Sequence, residues 1–90
     1  MIPVICGMDG EHTMKELDSV VLTTDLPEHG LKSGDIGTIV LVHEGGAGYE
    51  VEFMTLDGET VAVVSLLASH LRHIGPREIA HVRPVEPVSA

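Results

Sequence analysis

Basic side chains are scarce in this chain, with five Lys and Arg against fourteen Asp and Glu and a formal net charge of -9. Such a balance repels phosphate backbones and anionic lipid head groups, so neither nucleic acid nor membrane is expected as a partner. Cysteine is nearly missing. Cys6 alone cannot form an internal bridge, and the opening Met1-Ile2-Pro3-Val4-Ile5-Cys6 lacks the basic n-region and long apolar h-region of a secretory signal; a cytoplasmic location is expected. No apolar run approaches the roughly 18 residues of a membrane span, since Ser65, Ser69 and His70 interrupt even the stretch from Val61 to Leu71. A nucleotide-cradling glycine motif leading into a helix is absent, and so are Ser-His and Cys-His patterns for nucleophilic catalysis. The expectation is a non-enzyme with no catalytic residue, no cofactor and no metal.

Strong 3.6-residue periodicity is also missing; β-branched runs separated by turn residues take its place. A length of 90 residues with 43% apolar side chains suits one compact core. Ser19 to Thr24 is rich in Val and Thr and reads as a first strand. Asp25 to Asp35 follows as an ordered loop, with Pro27 fixing φ and Gly30 and Gly34 permitting positive φ. Gly37 to His43 is the second strand, closed by the turn Gly45-Gly46-Ala47-Gly48. Tyr49 to Leu56 alternates, with Tyr49, Val51 and Phe53 on one face and Glu50 and Glu52 on the other. Asp57-Gly58 predicts a two-residue hairpin turn into a fourth strand, Glu59 to Leu66. Ala68-Ser69-His70 predicts one tight turn before a short fifth strand, Leu71 to Ile74, which ends at Gly75-Pro76.

The expected architecture is all-β, a small five-stranded SH3-like barrel over residues 14–75. An N-terminal extension covers 1–13 and a short C-terminal tail covers 76–90. Met14 is a second candidate start. Barrel closure would hide the sheet edges. The tail has room for one helical turn bringing Ile79 and Val82 together before Pro84 and Pro87 stop it.

The stretch Leu31-Lys32-Ser33-Gly34-Asp35-Ile36-Gly37-Thr38-Ile39-Val40, a glycine turn, and then Tyr49-Glu50-Val51-Glu52-Phe53 resemble the loop-and-strand signature of KOW-type SH3-like barrels. From Leu17 to Ile74, the segments Leu-Pro-Glu-His-Gly-Leu, Gly-Asp-Ile-Gly-Thr and Tyr-Glu-Val-Glu-Phe resemble a family of small bacterial proteins classed as a domain of unknown function. That resemblance implies the fold and a bacterial setting, and carries over no catalytic residue, substrate or cofactor. KOW domains often contact RNA through basic loops. Here the equivalent loop sets Asp25, Glu28 and Asp35 against Lys32, which counts against an RNA-binding role.

Six histidines raise a metal hypothesis, with His70-x-x-His73 and His29 or His43 as imidazole donors, but a turn and a strand start do not force these side chains to converge. The feature that asks for a function is two-sided apolarity in strands two and four. Thr38, Val40 and Val42 alternate with Ile39 and Leu41, and Val61, Val63 and Ser65 with Ala62, Val64 and Leu66. One barrel has one interior, so the second apolar set is covered by the Ile2-Val4-Ile5 segment, by the tail through Ile79 and Val82, or by another protein. The expected role is a non-catalytic protein-interaction module, a homodimer that also binds a partner protein of basic character. Its candidate interface is Ile39, Leu41, Ala62, Val64 and Leu66, and its candidate loop contacts are Pro27, Glu28, His29 and Tyr49. The alternatives are a small-ligand or metal-binding accessory domain using Tyr49, His29, His43 and Glu50, and a KOW-like nucleic-acid-binding domain, which would need Lys32, Arg72 and Arg77 on one face.

Overall fold

The computed structural model describes residues 14–86. Their strands are β1 (Ser19–Leu22), β2 (Ile36–His43), β3 (Gly48–Met54), β4 (Thr60–Leu66) and β5 (Leu71–His73). All pairings are antiparallel, in the spatial order β4-β3-β2-β1-β5. Two single turns of 3-10 helix, Pro27–His29 and Ala68–His70, are the helical content of the described residues. The fold is therefore all-β, as the β-branched runs predict. The expected closure is not present: β4 and β5 are the two edges, and no ladder joins them.

Alternation along β3 organises the core. Tyr49, Val51 and Phe53 are buried, and they meet Leu66, Val64 and Ala62 of β4 directly across the ladder. Ile39 of β2 lies opposite Val51, while Val20 and Leu22 of β1, Leu71 of β5 and Leu31 of the first loop complete the cluster. β1 pairs with β2 at one side and with β5 at the other, which brings Leu71 into the same cluster as Ile39. Among the described glycines the closest approach is at Gly37, where an added Cβ would stand 2.6 Å from Val51 Cγ1 and 2.9 Å from Phe53 Cε1. A side chain there would occupy the space the aromatic ring fills.

Two irregularities depart from simple alternation. Opposite Val51 and Glu50 stand Ile39 and Leu41, so Val40 is an extra residue in β2. The bulge turns Val40 and Leu41 outward together instead of placing them on opposite faces. At the other end of β3, the expected two-residue Asp57-Gly58 turn is replaced by a three-residue loop, Leu56-Asp57-Gly58. The Thr55 N–H donates to the Glu59 carbonyl and the Gly58 N–H to the Thr55 carbonyl, and Gly58 takes φ +97°. A three-residue loop ending in a positive-φ glycine is the next commonest hairpin after the two-residue type. An extra residue in β4, Val61, then restores the register: Phe53 pairs with Ala62 while Met54 pairs with Thr60.

The tail does not cover the sheet as proposed from its apolar residues. No helical turn forms over 77–86, and Ile79 and Val82 are 91% and 71% exposed. Polar clamps hold the tail instead. Arg72 donates through both terminal nitrogens to the Glu78 carboxylate at 2.9 and 2.7 Å. Arg83 donates from Nε to Asp35 Oδ1 at 2.9 Å and from Nη2 to the Gly30 carbonyl at 3.1 Å. The alternative cover, Ile2, Val4 and Ile5, lies outside the described residues.

Candidate functional site

Burial sorts the candidate interface residues. Ile39, Val64 and Leu66 are core, and Ala62 packs partly buried against it. Of the five, Leu41 alone is exposed, at 45%. The correction follows from register: with Val51 facing inward, its ladder partners Ile39 and Val64 must face inward too. The outward apolar surface is built instead from Val40 and Leu41 at the β2 bulge and Val63 on β4, which is 53% exposed. Leu67, immediately beyond the end of β4, is also exposed.

Polar side chains lie among these residues on the same outer face. Glu50, opposite Leu41 and Ser65, accepts on Oε2 from the Ser65 hydroxyl and lies 2.8 Å from His43 Nε2. Hydrogen bonds from Ser65 first, and then His43, hold its carboxyl below the usual range. Glu52 accepts from the Thr60 hydroxyl at 2.6 Å. Serine, carboxylate and imidazole thus meet, but in an order unsuited to nucleophile activation. The serine proton faces a carboxylate of weakened basicity, and the imidazole is bonded to that carboxylate and not to the serine. The ladder position of Ser65 opposite Glu50 was readable from the hairpin, whereas the reach of His43 depends on the β2 bulge.

The loop candidates separate. Pro27, Glu28 and His29 form the first 3-10 turn, with Pro27 and Glu28 exposed and His29 half-buried. Tyr49 is buried, paired with Val42 near the end of β2 remote from that loop. The loop's carboxylates have internal duties. Asp25 accepts the Ser33 N–H at 2.9 Å, and Asp35 accepts the Lys32 N–H at 2.8 Å besides the Arg83 guanidinium. Partial burial pushes the Asp35 carboxyl up, but the Arg83 and Lys32 contacts outweigh it and hold the group below its ordinary value. Asp25 and Glu28 are both exposed, and Glu28 has no hydrogen-bond partner among the described residues.

Tyr49 does contribute to a cleft of about 720 Å³, walled by Met14, Lys15 and Glu16 on one side and Val42, Gly45, Gly46 and Ala68 on the other. Its polar groups are one ammonium, one carboxylate and one phenol. His29, His43 and Glu50 are not among its lining residues. His70 Nδ1 accepts the Leu67 N–H at 3.2 Å, and His73 Nε2 is buried with no hydrogen-bond partner among the described residues. Among the described residues no group of three His, Cys, Asp or Glu side chains converges to hold a metal ion, and no helix is long and apolar enough to cross a membrane. Three of the five basic side chains, Lys15, Arg72 and Arg83, are engaged with carboxylates.

The sequence profile of a domain of unknown function, DUF4926, matches residues 16–73, well over half of the chain. The chain belongs to the DUF4926 family. Comparison with curated proteins and with solved structures finds no match. The DUF4926 segment contains all five strands and ends on the last residue of β5. Arg72 and Asp35, which receive the tail clamps, lie inside the DUF4926 match, whereas Glu78 and Arg83, which supply them, lie beyond it.

Proposed function

We propose that this DUF4926 domain is a non-catalytic protein-interaction module of the bacterial cytoplasm, built on an SH3-like barrel plan, that forms a homodimer and binds a partner protein. The strand order and the β1–β5 pairing support the barrel plan. The observation that carries the reading is the outward apolar set Val40, Leu41 and Val63, in a folded unit with no buried charged side chain among the described residues. Apolar side chains exposed on a sheet that also has an open strand edge favour association over solvation. An excess of carboxylates, with Glu28 and Glu44 exposed on loops, favours a basic partner for the remaining surface.

Light scattering coupled to size-exclusion chromatography tests the reading. The 9.6 kDa chain should elute at twice its mass, and Val63→Lys should halve that mass without changing far-UV circular dichroism. A wild-type protein that stays monomeric throughout the accessible concentration range would overturn the homodimer. The Tyr49 cleft favours a second reading, a small-ligand accessory domain. Saturable quenching of Tyr49, the chain's single tyrosine, by a neutral or zwitterionic small molecule would support it.

A further inference from the structure

The two edges of the sheet are treated differently. β5 is three residues long and carries Arg72, and the chain leaving it is clamped back at Glu78 and again at Arg83. The Arg83 clamp lands on Asp35, whose carbonyl accepts the N–H of Leu22, the partner of Leu71. This edge is therefore short and charged, both means of blocking unwanted pairing. β4 has none of them. Its seven residues, Thr-Val-Ala-Val-Val-Ser-Leu, include no charge and no proline.

The backbone groups on the open side of β4 follow from the ladder. Ile39 donates its N–H to the Asp18 carbonyl and accepts the Leu17 N–H, both away from β3. Ile39 and Val51 therefore form a non-hydrogen-bonded pair, and Val51 turns its own N–H and C=O toward Val64. Alternation along β4 then points the N–H and C=O of Val63 and Ser65 to the open side.

We infer that the open edge of β4 pairs antiparallel with β4 of a second copy about a twofold axis at Val63, joining the two sheets into one of ten strands. This deepens the homodimer reading and rests on it. With Val63 opposite itself, Ala62 meets Val64, so inward residues meet inward residues beside the axis in both copies, and the match ends at the bulged Val61, which packs partly buried against its own core. Charge selects the occupant. A molecule of net charge -9 can lie against itself only along a neutral strip, and the strip from Thr60 to Leu66 is neutral. Glu50 and Glu52 on the adjacent strand are bound to the Ser65 and Thr60 hydroxyls of their own copy. A basic partner would gain no countercharge from β4.

Two measurements on the full chain separate this geometry from association in general. Val63→Pro removes an N–H that the ladder among the described residues does not use, so the mass from light scattering should halve; retention of the dimer would overturn the edge pairing. In the wild-type protein, amide exchange at Val63 and Ser65 should slow as concentration rises through the dimer transition. Fast exchange at both sites in a demonstrated dimer would also overturn the pairing, even where Val63→Pro fails to fold. A dimer that survives Val63→Pro but is lost on Leu41→Lys would retain the homodimer and reject β4 as its seam. A wild-type monomer would remove both.

Discussion

At the scale of single residues, the sharpest constraint is the absence of a side chain at Gly37. A methyl group there would meet Val51 Cγ1 at 2.6 Å and Phe53 Cε1 at 2.9 Å, so Gly37→Ala is an overpacking change expected to cost about 1–3 kcal/mol. Denaturant melts measure it, and an unchanged midpoint would contradict the close approach. Glu78 offers a titration. The Arg72 hydrogen bonds first, with the Gly75 N–H second, pull its carboxyl from 4.5 down to about 2. A carboxyl depressed in the folded state contributes stability that is complete above its unfolded value and disappears as pH falls through its folded one. The tail tether is therefore expected to hold at neutral pH and to loosen between about 4.5 and about 2. The Gly75 amide resonance should report that ionisation, and Glu78→Gln should abolish its acid titration.

Among the elements, the β3–β4 hairpin shows what the sequence made legible and what it hid. A two-residue Asp57-Gly58 turn would place Glu50 opposite Ser65, Val51 opposite Val64 and Phe53 opposite Ala62, which are the pairs observed. The loop holds three residues rather than two, and the extra Val61 compensates one position later. Register survived because the inward set Tyr49, Val51 and Phe53 must meet an inward set on β4. Gly58→Val should still lower the melting temperature, since φ +97° is hostile to a β-branched residue; an unmoved temperature would mean the loop relaxes without strain.

The β2 bulge was not legible, because five consecutive apolar or β-branched residues, Thr38 to Val42, fit either face equally well. That ambiguity on β2, and the equally two-sided apolar run Val61 to Leu66 on β4, leave the sequence unable to tell the inward Ile39, Ala62, Val64 and Leu66 from the outward Val40, Leu41 and Val63. Tyr49 was read as a loop contact because it follows a glycine turn, yet its ladder partners Val42 and Leu66 draw it into the core. The tail misled for another reason. Ile79 and Val82 suggested apolar cover, but Glu78 and Arg83 determine its path, and their partners are distant in sequence.

For the molecule as a whole, charge opposes self-association at long range and leaves it possible at short range. Two copies at -9 repel each other, and the repulsion is screened over about 8 Å at physiological ionic strength. Raising the salt concentration should therefore tighten the homodimer, whereas binding to a basic partner should weaken over the same range. Sedimentation equilibrium across a salt series distinguishes the two, and a dimer that dissociates as salt rises would contradict an uncharged seam.

The β1–β5 ladder joins Val20 to His73, near opposite ends of the family segment. During synthesis, β2, β3 and β4 can pair with near neighbours as they emerge, but β1 gains its second partner only after His73 has left the ribosome. Until then the nascent chain presents open edges at both β1 and β4. Its exposure to mispairing lasts until β5 arrives, and folding of the family segment is complete only when that last strand pairs.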